Sequence, residues 1–172
     1  RDHAGLVVTK TQTSFAIYRD QEEHVVFTSQ VREEHLQELG GLACAPMMFQ
    51  EMLLKRLELR ATVVGGRVFT AAVDSQKLQG ASVDWRREGV ALIDAWTPYQ
   101  LLSEVEDCTK QLTAHLGLNY GAADFIVTPE GQHVFLEVNA GGEWFWLQRC
   151  LPIARYARQT GDLARPQLQR HR

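Results

Sequence analysis

Apolar and polar residues alternate most regularly in the last third of the chain. Val134, Leu136 and Val138 interleave with Phe135, Glu137 and Asn139, the period-2 pattern of a half-buried strand. Ala122 to Val127 predicts a second strand, and Thr128-Pro129-Glu130-Gly131 the turn between the two. A clean hairpin is predicted where Leu57 to Val64 turns at Gly65-Gly66 and returns as Arg67 to Val73. Leu57, Leu59, Ala61 and Val63 fill one face of its first strand, with Glu58 and Arg60 on the other.

Shorter patterns complete the element list. Leu6 to Lys10 is a brief apolar run, and Ser14–Tyr18 with His24–Thr28 predicts a hairpin around Arg19-Asp20-Gln21-Glu22. A short helix over Arg32–Leu39 stops at Gly40-Gly41, and Pro46 introduces an apolar strand from Met47 to Leu54. Gln76 to Gly89 is a polar, mobile connection containing Asp84-Trp85-Arg86-Arg87, followed by one more strand over Ala91–Trp96. Ser103-Glu104-Val105-Glu106 has the form of a capping box and opens a helix through about His115. Val105, Cys108, Leu112 and Leu116 form its buried stripe, and Gly117 ends it. Pro152 sits in the first turn of a C-terminal helix through Tyr156, and a basic tail, 164–172, is frayed. The fold class is α+β.

Composition narrows the function classes. With 172 residues, 45% hydrophobic and 23% charged, the chain fits one domain or two small lobes with a proper core. A net charge of −3 gives no field for nucleic acid or anionic membrane, and no apolar run approaches a membrane span. Three widely spaced cysteines argue against a disulfide framework or zinc site, and the six histidines show no ligand spacing. Reduced thiols and a cytoplasmic location follow as the default. The chain opens on Arg1-Asp2-His3 without an initiator Met and looks like a piece of a longer protein, so this end is silent about targeting.

Candidate chemistry concentrates on the last hairpin. Glu137 and Asn139 point to one face, within ~7 Å along the strand. If Val127 pairs with Val134, Asp124 falls opposite Glu137. Two carboxylates and an amide oxygen then converge at a strand end, and hard oxygen ligands of this kind suit Mg²⁺. An exposed polar face on an edge hairpin would show the same residue types, but here they interrupt strongly apolar strands and the aromatic run Glu143-Trp144-Phe145-Trp146 follows at once.

Other positions keep two readings. Lys10 is a solvated strand cap or a point charge for nucleotide phosphates; the loop behind it has no glycine, so it is no P-loop. Gln50-Glu51 lies in a buried core strand, or in a strand whose backbone meets an adenine ring. Glu58 and Arg60 form a weak surface ion pair, or bind a ribose hydroxyl and a phosphoryl or carboxylate group. An arginine in the Asp84–Arg87 loop is placed to close over an anion.

Taken in order, Lys10, Phe49-Gln50-Glu51, Glu58-Leu59-Arg60, Asp84-Trp85-Arg86, Asp124 and Glu137-Val138-Asn139 resemble the ATP-grasp fold. The closer resemblance is to the ligases that cyclise microviridin-type ribosomal peptides, the graspetide synthetases. Ser14–Tyr18, Val26-Phe27-Thr28, Cys44-Ala45-Pro46-Met47 with Phe49-Gln50-Glu51, Lys55 through Glu58-Leu59-Arg60, Val68–Ala72, Ser75-Gln76, Asp84–Gly89, Leu118–Ala122 and Phe135–Asn139 with Glu143–Leu147 carry it, over about Val7 to Ala157.

The resemblance implies the C-terminal part of an ATP-grasp fold, without its N-terminal domain. Residues 1–55 would form a small lobe with nucleotide-contacting strands, 56–163 the large lobe with the metal site, and 164–172 the tail. Asp124, Glu137 and Asn139 would hold two Mg²⁺ ions, and Lys10 would contact the ATP phosphates. Glu51 and Leu53, with Gln50 beside them, would meet adenine, and Glu58 the ribose. Arg60 and Arg86 would steady the transferred phosphoryl group or the acyl phosphate. Such enzymes activate an Asp or Glu side chain of a precursor peptide, recognised through leader and core, as an acyl phosphate. A Ser/Thr hydroxyl or Lys amine of the same peptide then attacks, giving an ester or amide crosslink. A leader helix would dock on the enzyme, near the Gly65-Gly66 hairpin. Phosphoryl transfer needs positioning and charge neutralisation more than a nucleophilic side chain, and no Ser/His/Asp or Cys/His arrangement is present.

The chain departs from the pattern where Asn139-Ala140-Gly141 replaces the usual Asn-Pro, which loosens that loop, and only one phosphate lysine is visible. Two rivals stand beside this expectation: a RimK-like ligase adding an amino acid or small amine, and a non-catalytic ATP-grasp module that binds peptide. The complete set Asp124, Glu137, Asn139 counts against the second. Oligomeric state stays open, a homodimer included.

Overall fold

The computed structural model describes residues 6–11, 16–37 and 39–161. The Ser14-Phe15 end of the first expected hairpin and the basic tail fall outside them. The chain divides into two units: residues up to Leu54 with Lys77–Val90, and Lys55–Gln76 with Ala91 onward.

The first unit is built on a three-stranded antiparallel sheet. Its centre is β1 (Val7–Thr11), flanked by β4 (Ser29–Gln30) and β5 (Met47–Glu51), while β2 (Ala16–Arg19) and β3 (Glu22–Val25) pair as a separate hairpin. That hairpin turns on two residues, Asp20 and Gln21, at φ of 54° and 67°. The second strand therefore ends at Val25 and not at Thr28. The expected helix over 32–39 is replaced by two 3₁₀ turns, Glu33–Gln37 and Leu39–Ala43. Gly40 and Gly41 lie inside the second turn instead of stopping a helix. Strand β5 ends at Glu51, and Phe49 is 46% exposed, so it is not the buried core strand of one sequence reading.

The connection expected to be mobile is a chain of short 3₁₀ turns, Ser75–Lys77, Gln79–Ala81 and Trp85–Glu88, leading into helix α1 (Gly89–Leu92). A buried Asp84 pins it. Its carboxylate accepts from the amides of Thr28 (2.9 Å) and Arg86 (3.1 Å) and from the Arg86 guanidinium at 2.9 and 2.6 Å. The strand expected over 91–96 is thus helix and turn. Only Thr97–Pro98 (β8) pairs, at a sheet edge where proline's missing N–H is tolerated.

The second unit is a five-stranded antiparallel sheet in the order β10-β9-β6-β7-β8, with β6 (Leu57–Val64), β7 (Arg67–Val73), β9 (Tyr120–Val127) and β10 (His133–Asn139). Hairpin β6–β7 has the predicted register, with Gly65 at φ +57° in its turn. One sheet face buries Leu59, Ala61, Ala72, Ala123, Phe125 and Val127 with Leu101, and Val105 of helix α2 (Ser103–His115) packs onto them. Part of the other face is covered by the C-terminal segment: Phe69 meets Tyr156 of α3 (Ile153–Thr160) edge-on, 5.3 Å between centroids, and Leu147 and Ile153 are fully buried.

Helix α2 has the predicted bounds but a different start and face. Ser103 is its first residue, not its cap; the Glu106 amide donates to the Leu102 carbonyl and the Glu106 carboxylate pairs with Lys110 at 2.8 Å. Its buried residues are Thr109 and Thr113, whereas Cys108 and Leu116 are exposed. Each hydroxyl hides its polarity by donating one turn back, Thr109 to the Val105 carbonyl (2.6 Å) and Thr113 to the Thr109 carbonyl (2.8 Å). Among the described residues no helix is long and apolar enough to cross a membrane.

Candidate functional site

On the open part of the second unit's sheet, three strands present one row of charge. Arg60 of β6 stands opposite Asp124 of β9, and Asp124 stands opposite Glu137 of β10. Directly opposed residues share a face, so Arg60, Asp124 and Glu137 line up across the sheet, with Asn139 two residues on. The expected juxtaposition of Asp124 and Glu137 is present, by another route. Val127 pairs with His133, not Val134, and a bulge between Phe135 and Glu137 supplies the missing residue. Bulges re-aim side chains in this way beside functional sites.

The row is partly buried. Arg60 Nε lies 2.8 Å from Asp124 Oδ1, with 14% and 23% of the two side chains exposed. The Nε–H makes no aligned hydrogen bond, so the contact is a close ion pair. Glu137 and Asn139 are exposed. Among the described residues no three His, Cys, Asp or Glu side chains gather as a metal cluster. The candidate centre is instead two opposed carboxylates and an amide oxygen, a hard-oxygen donor set that fits Mg²⁺ sharing its remaining positions with phosphate oxygens and water.

The turn after Asn139 is tied down rather than loose. Asn139 Oδ1 accepts from the Gly141 amide at 2.9 Å, and the Asn139 carbonyl from the Gly142 amide at 3.3 Å. Gly142 is buried against the charged face. A Cβ there would sit 2.6 Å from Ala122 Cβ, 3.0 Å from Arg60 Nη1 and 3.3 Å from Asn139 Cβ. Its carbonyl accepts from the Tyr120 hydroxyl. Burial pushes the Tyr120 phenol up to about 12, with the Arg60 charge acting in the opposite direction. Sequence reasoning missed Tyr120 and Gly142. Continuing the period-2 count back from Asp124 through Ala122 would have reached Tyr120.

Glu58 shares the face of Arg60, two residues earlier, and its Oε1 receives Lys55 Nζ at 2.7 Å, with only 6% of the lysine and 12% of the glutamate side chain exposed. Lys55 was not among the expected site residues. Its burial beside a carboxylate is the signal that sequence does not display.

The remaining expected residues belong to the first unit. Lys10 pairs with Met48, and Val8 with Gln50, so Lys10 and Gln50 share one face of the β1–β5 ladder while Glu51 lies on the other. Gln50 and Glu51 are exposed and Leu53 is half-buried just past the strand. Arg86 is half-exposed, held by its two-pronged contact with Asp84 and lying over the Phe27 ring at 6.0 Å. Burial alone would raise the Asp84 pKa, but the Arg86 hydrogen bond and charge and two backbone amides outweigh it and hold the carboxyl below its ordinary value.

Neither a protein-family model nor a curated protein matches the chain. Solved structures do. A Chryseobacterium gregarium RiPP-associated ATP-grasp ligase, in complex with ADP and a leader and core peptide, is 44% identical over 92% of this chain and 47% of its own, with a TM-score of 0.85. Macrocyclase MdnC from Microcystis aeruginosa, bound with precursor peptide MdnA, is 46% identical over 86% of this chain and 42% of its own, with a TM-score of 0.71. Macrocyclase MdnB from the same organism is 36% identical over 87% and 44%, with a TM-score of 0.62. The chain thus spans less than half the length of each of these proteins. It carries part of an ATP-grasp fold, and the resemblance read from its motifs is to these ligases.

Proposed function

We propose that this chain is part of an ATP-dependent carboxylate ligase acting on a ribosomal precursor peptide. An Asp or Glu side chain of the peptide becomes an acyl phosphate, and a Ser/Thr hydroxyl or Lys amine of the same peptide then closes an ester or amide crosslink. The single observation that carries this is the Arg60–Asp124–Glu137 row with Asn139, set in a sheet whose neighbours at 44% and 46% identity are peptide-bound ATP-grasp enzymes.

Chemically, the peptide carboxylate attacks the γ-phosphorus and ADP leaves; the hydroxyl or amine then attacks the acyl carbon, phosphate leaves, and a proton passes to solvent. One water is lost per ring. Asp124, Glu137 and Asn139 would hold Mg²⁺, two ions by resemblance, which when bound neutralises phosphate charge. Arg60, held by Asp124, and Arg86, held by Asp84, are each assigned by resemblance to the phosphoryl or acyl-phosphate oxygens. Glu58 is assigned to the ribose, with Lys55 fixing its carboxylate. Lys10 is assigned to phosphate, and Gln50, Glu51 and Leu53 to adenine. The first unit would then be the small nucleotide-contacting lobe and the second the lobe bearing the metal.

Incubating the full-length protein with ATP, Mg²⁺ and a candidate precursor peptide carrying clustered Thr/Ser/Lys and Asp/Glu tests the proposal by mass spectrometry. Loss of one water per crosslink, with matching ADP release, is the expected result. A gain in mass would indicate ligation of a free amine. ATP left intact with peptide present would overturn the assignment.

A further inference from the structure

Resting on the reading of Asp124, Glu137 and Asn139 as a cation site, the geometry points to Tyr120 as a positioning residue: its hydroxyl, by holding the Gly142 carbonyl, fixes the turn that sets Asn139 and the Arg60 guanidinium. Tyr120, Ala122 and Asp124 lie on one face of β9 at successive period-2 positions. Gly142 seats on the middle one, within a Cβ's reach of Ala122, Arg60 and Asn139. The main chain after Asn139 therefore lies directly against the arginine that pairs with Asp124.

Two local bonds shape that turn from within, Asn139 Oδ1 to the Gly141 amide and the longer Asn139 carbonyl contact to the Gly142 amide. Neither ties it to the sheet. The Tyr120 hydroxyl does. The bond crosses from the first residue of β9, which pairs with Val64 of β6, to a position three residues past Asn139, so it sets the depth at which the turn rests. Its phenol is half-buried and stays protonated, with a pKa near 12, so the donor is present throughout the physiological range. Removing only the oxygen leaves the ring packed and the carbonyl without its tether. Partners that orient metal ligands typically change affinity by about 10–100-fold when lost.

The test uses the full-length protein and Mn²⁺ as the probe, titrated directly by electron paramagnetic resonance in the presence of ADP, beside the Mg²⁺ dependence of peptide turnover. Tyr120→Phe is expected to weaken Mn²⁺ binding about tenfold and to raise the Mg²⁺ needed for half-maximal turnover by a similar factor. Saturating Mg²⁺ should restore most of kcat, which a general loss of structure would not permit. Gly142→Ala keeps the hydroxyl but drives a methyl onto Ala122, and should weaken Mn²⁺ in the same direction; it carries the test if Tyr120→Phe does not fold. Unchanged Mn²⁺ affinity in the folded variant overturns the positioning role. Glu137→Gln run in parallel separates the failures: if it too leaves Mn²⁺ binding unchanged, the cation site itself is wrong.

Discussion

Asp124 and Glu137 face each other across β9 and β10 because one extra residue is inserted in β10 between Phe135 and Glu137. Counted from the turn, where Val127 meets His133, an unbulged ladder would put Leu136 opposite Asp124. Successive side chains alternate faces, so Glu137 and Asn139 would then lie away from Arg60.

Glu137 is exposed and outside the core, so its charge can be removed without disturbing packing. Glu137→Gln should abolish ADP release while shifting stability by less than about 0.5 kcal/mol, the usual range for surface substitutions. Calorimetry and a coupled ADP assay check the two halves. Turnover at the wild-type rate would remove Glu137 from the site.

Arg60 and Asp124 should be energetically coupled. A double-mutant cycle with Arg60→Met and Asp124→Asn, read by urea unfolding, is expected to give an interaction of about 1 kcal/mol or more, since both side chains are largely buried. Either single change should destabilise more than the two together, because each removes the opposite charge from a largely buried partner. Additive effects would mean the contact is incidental.

Asp84 predicts a pH dependence with a definite sign. Its folded pKa lies below the ordinary value of 3.8, so the unfolded state binds more protons between the two. Its stabilising effect is fully present above the ordinary value and disappears as the pH falls through the depressed one. Unfolding midpoints of wild type should drop across that window, and those of Asp84→Asn should drop less. Parallel curves would show that the Thr28 and Arg86 contacts do not depend on the charge.

The thiols should separate by reactivity. Cys44 and Cys108 are exposed, whereas Cys150 is half-buried and burial pushes its pKa up, so it holds less thiolate at neutral pH. A disulfide reagent should therefore label two cysteines quickly and the third slowly in the native protein, with peptide mapping placing the slow one at Cys150. Equal rates for all three would contradict the packing of the 145–151 segment.

The hairpin β6–β7 was legible because alternation, a two-glycine turn and length all agree on one register. The Asp124–Glu137 alignment was reached from a wrong pairing at the turn. Assuming Val127 opposite Val134 shifts the ladder by one, and the bulge shifts it back; an inserted residue leaves no mark in composition. Helix α2 misled about its face because Thr109 and Thr113 read as polar, while their hydroxyls are spent on backbone carbonyls. Ala91 to Trp96 was too short an apolar run for periodicity to distinguish strand from helix. Tyr120 lies on the period-2 count back from Asp124, but its tie to Gly142 spans 22 positions and leaves no local mark.

The path of the chain between its units has a practical consequence for anyone dissecting the gene. It passes from one unit to the other at 54/55, 76/77 and 90/91, so the first unit is stitched together from two stretches. A shortened protein starting at Lys55 would keep the whole charged row yet strand Asp84 without the Thr28 amide and Arg87 without the Ser29 hydroxyl. Excision by a single cut is ruled out; isolating the unit that carries the charged row would need the 77–90 excursion replaced by a short bridge.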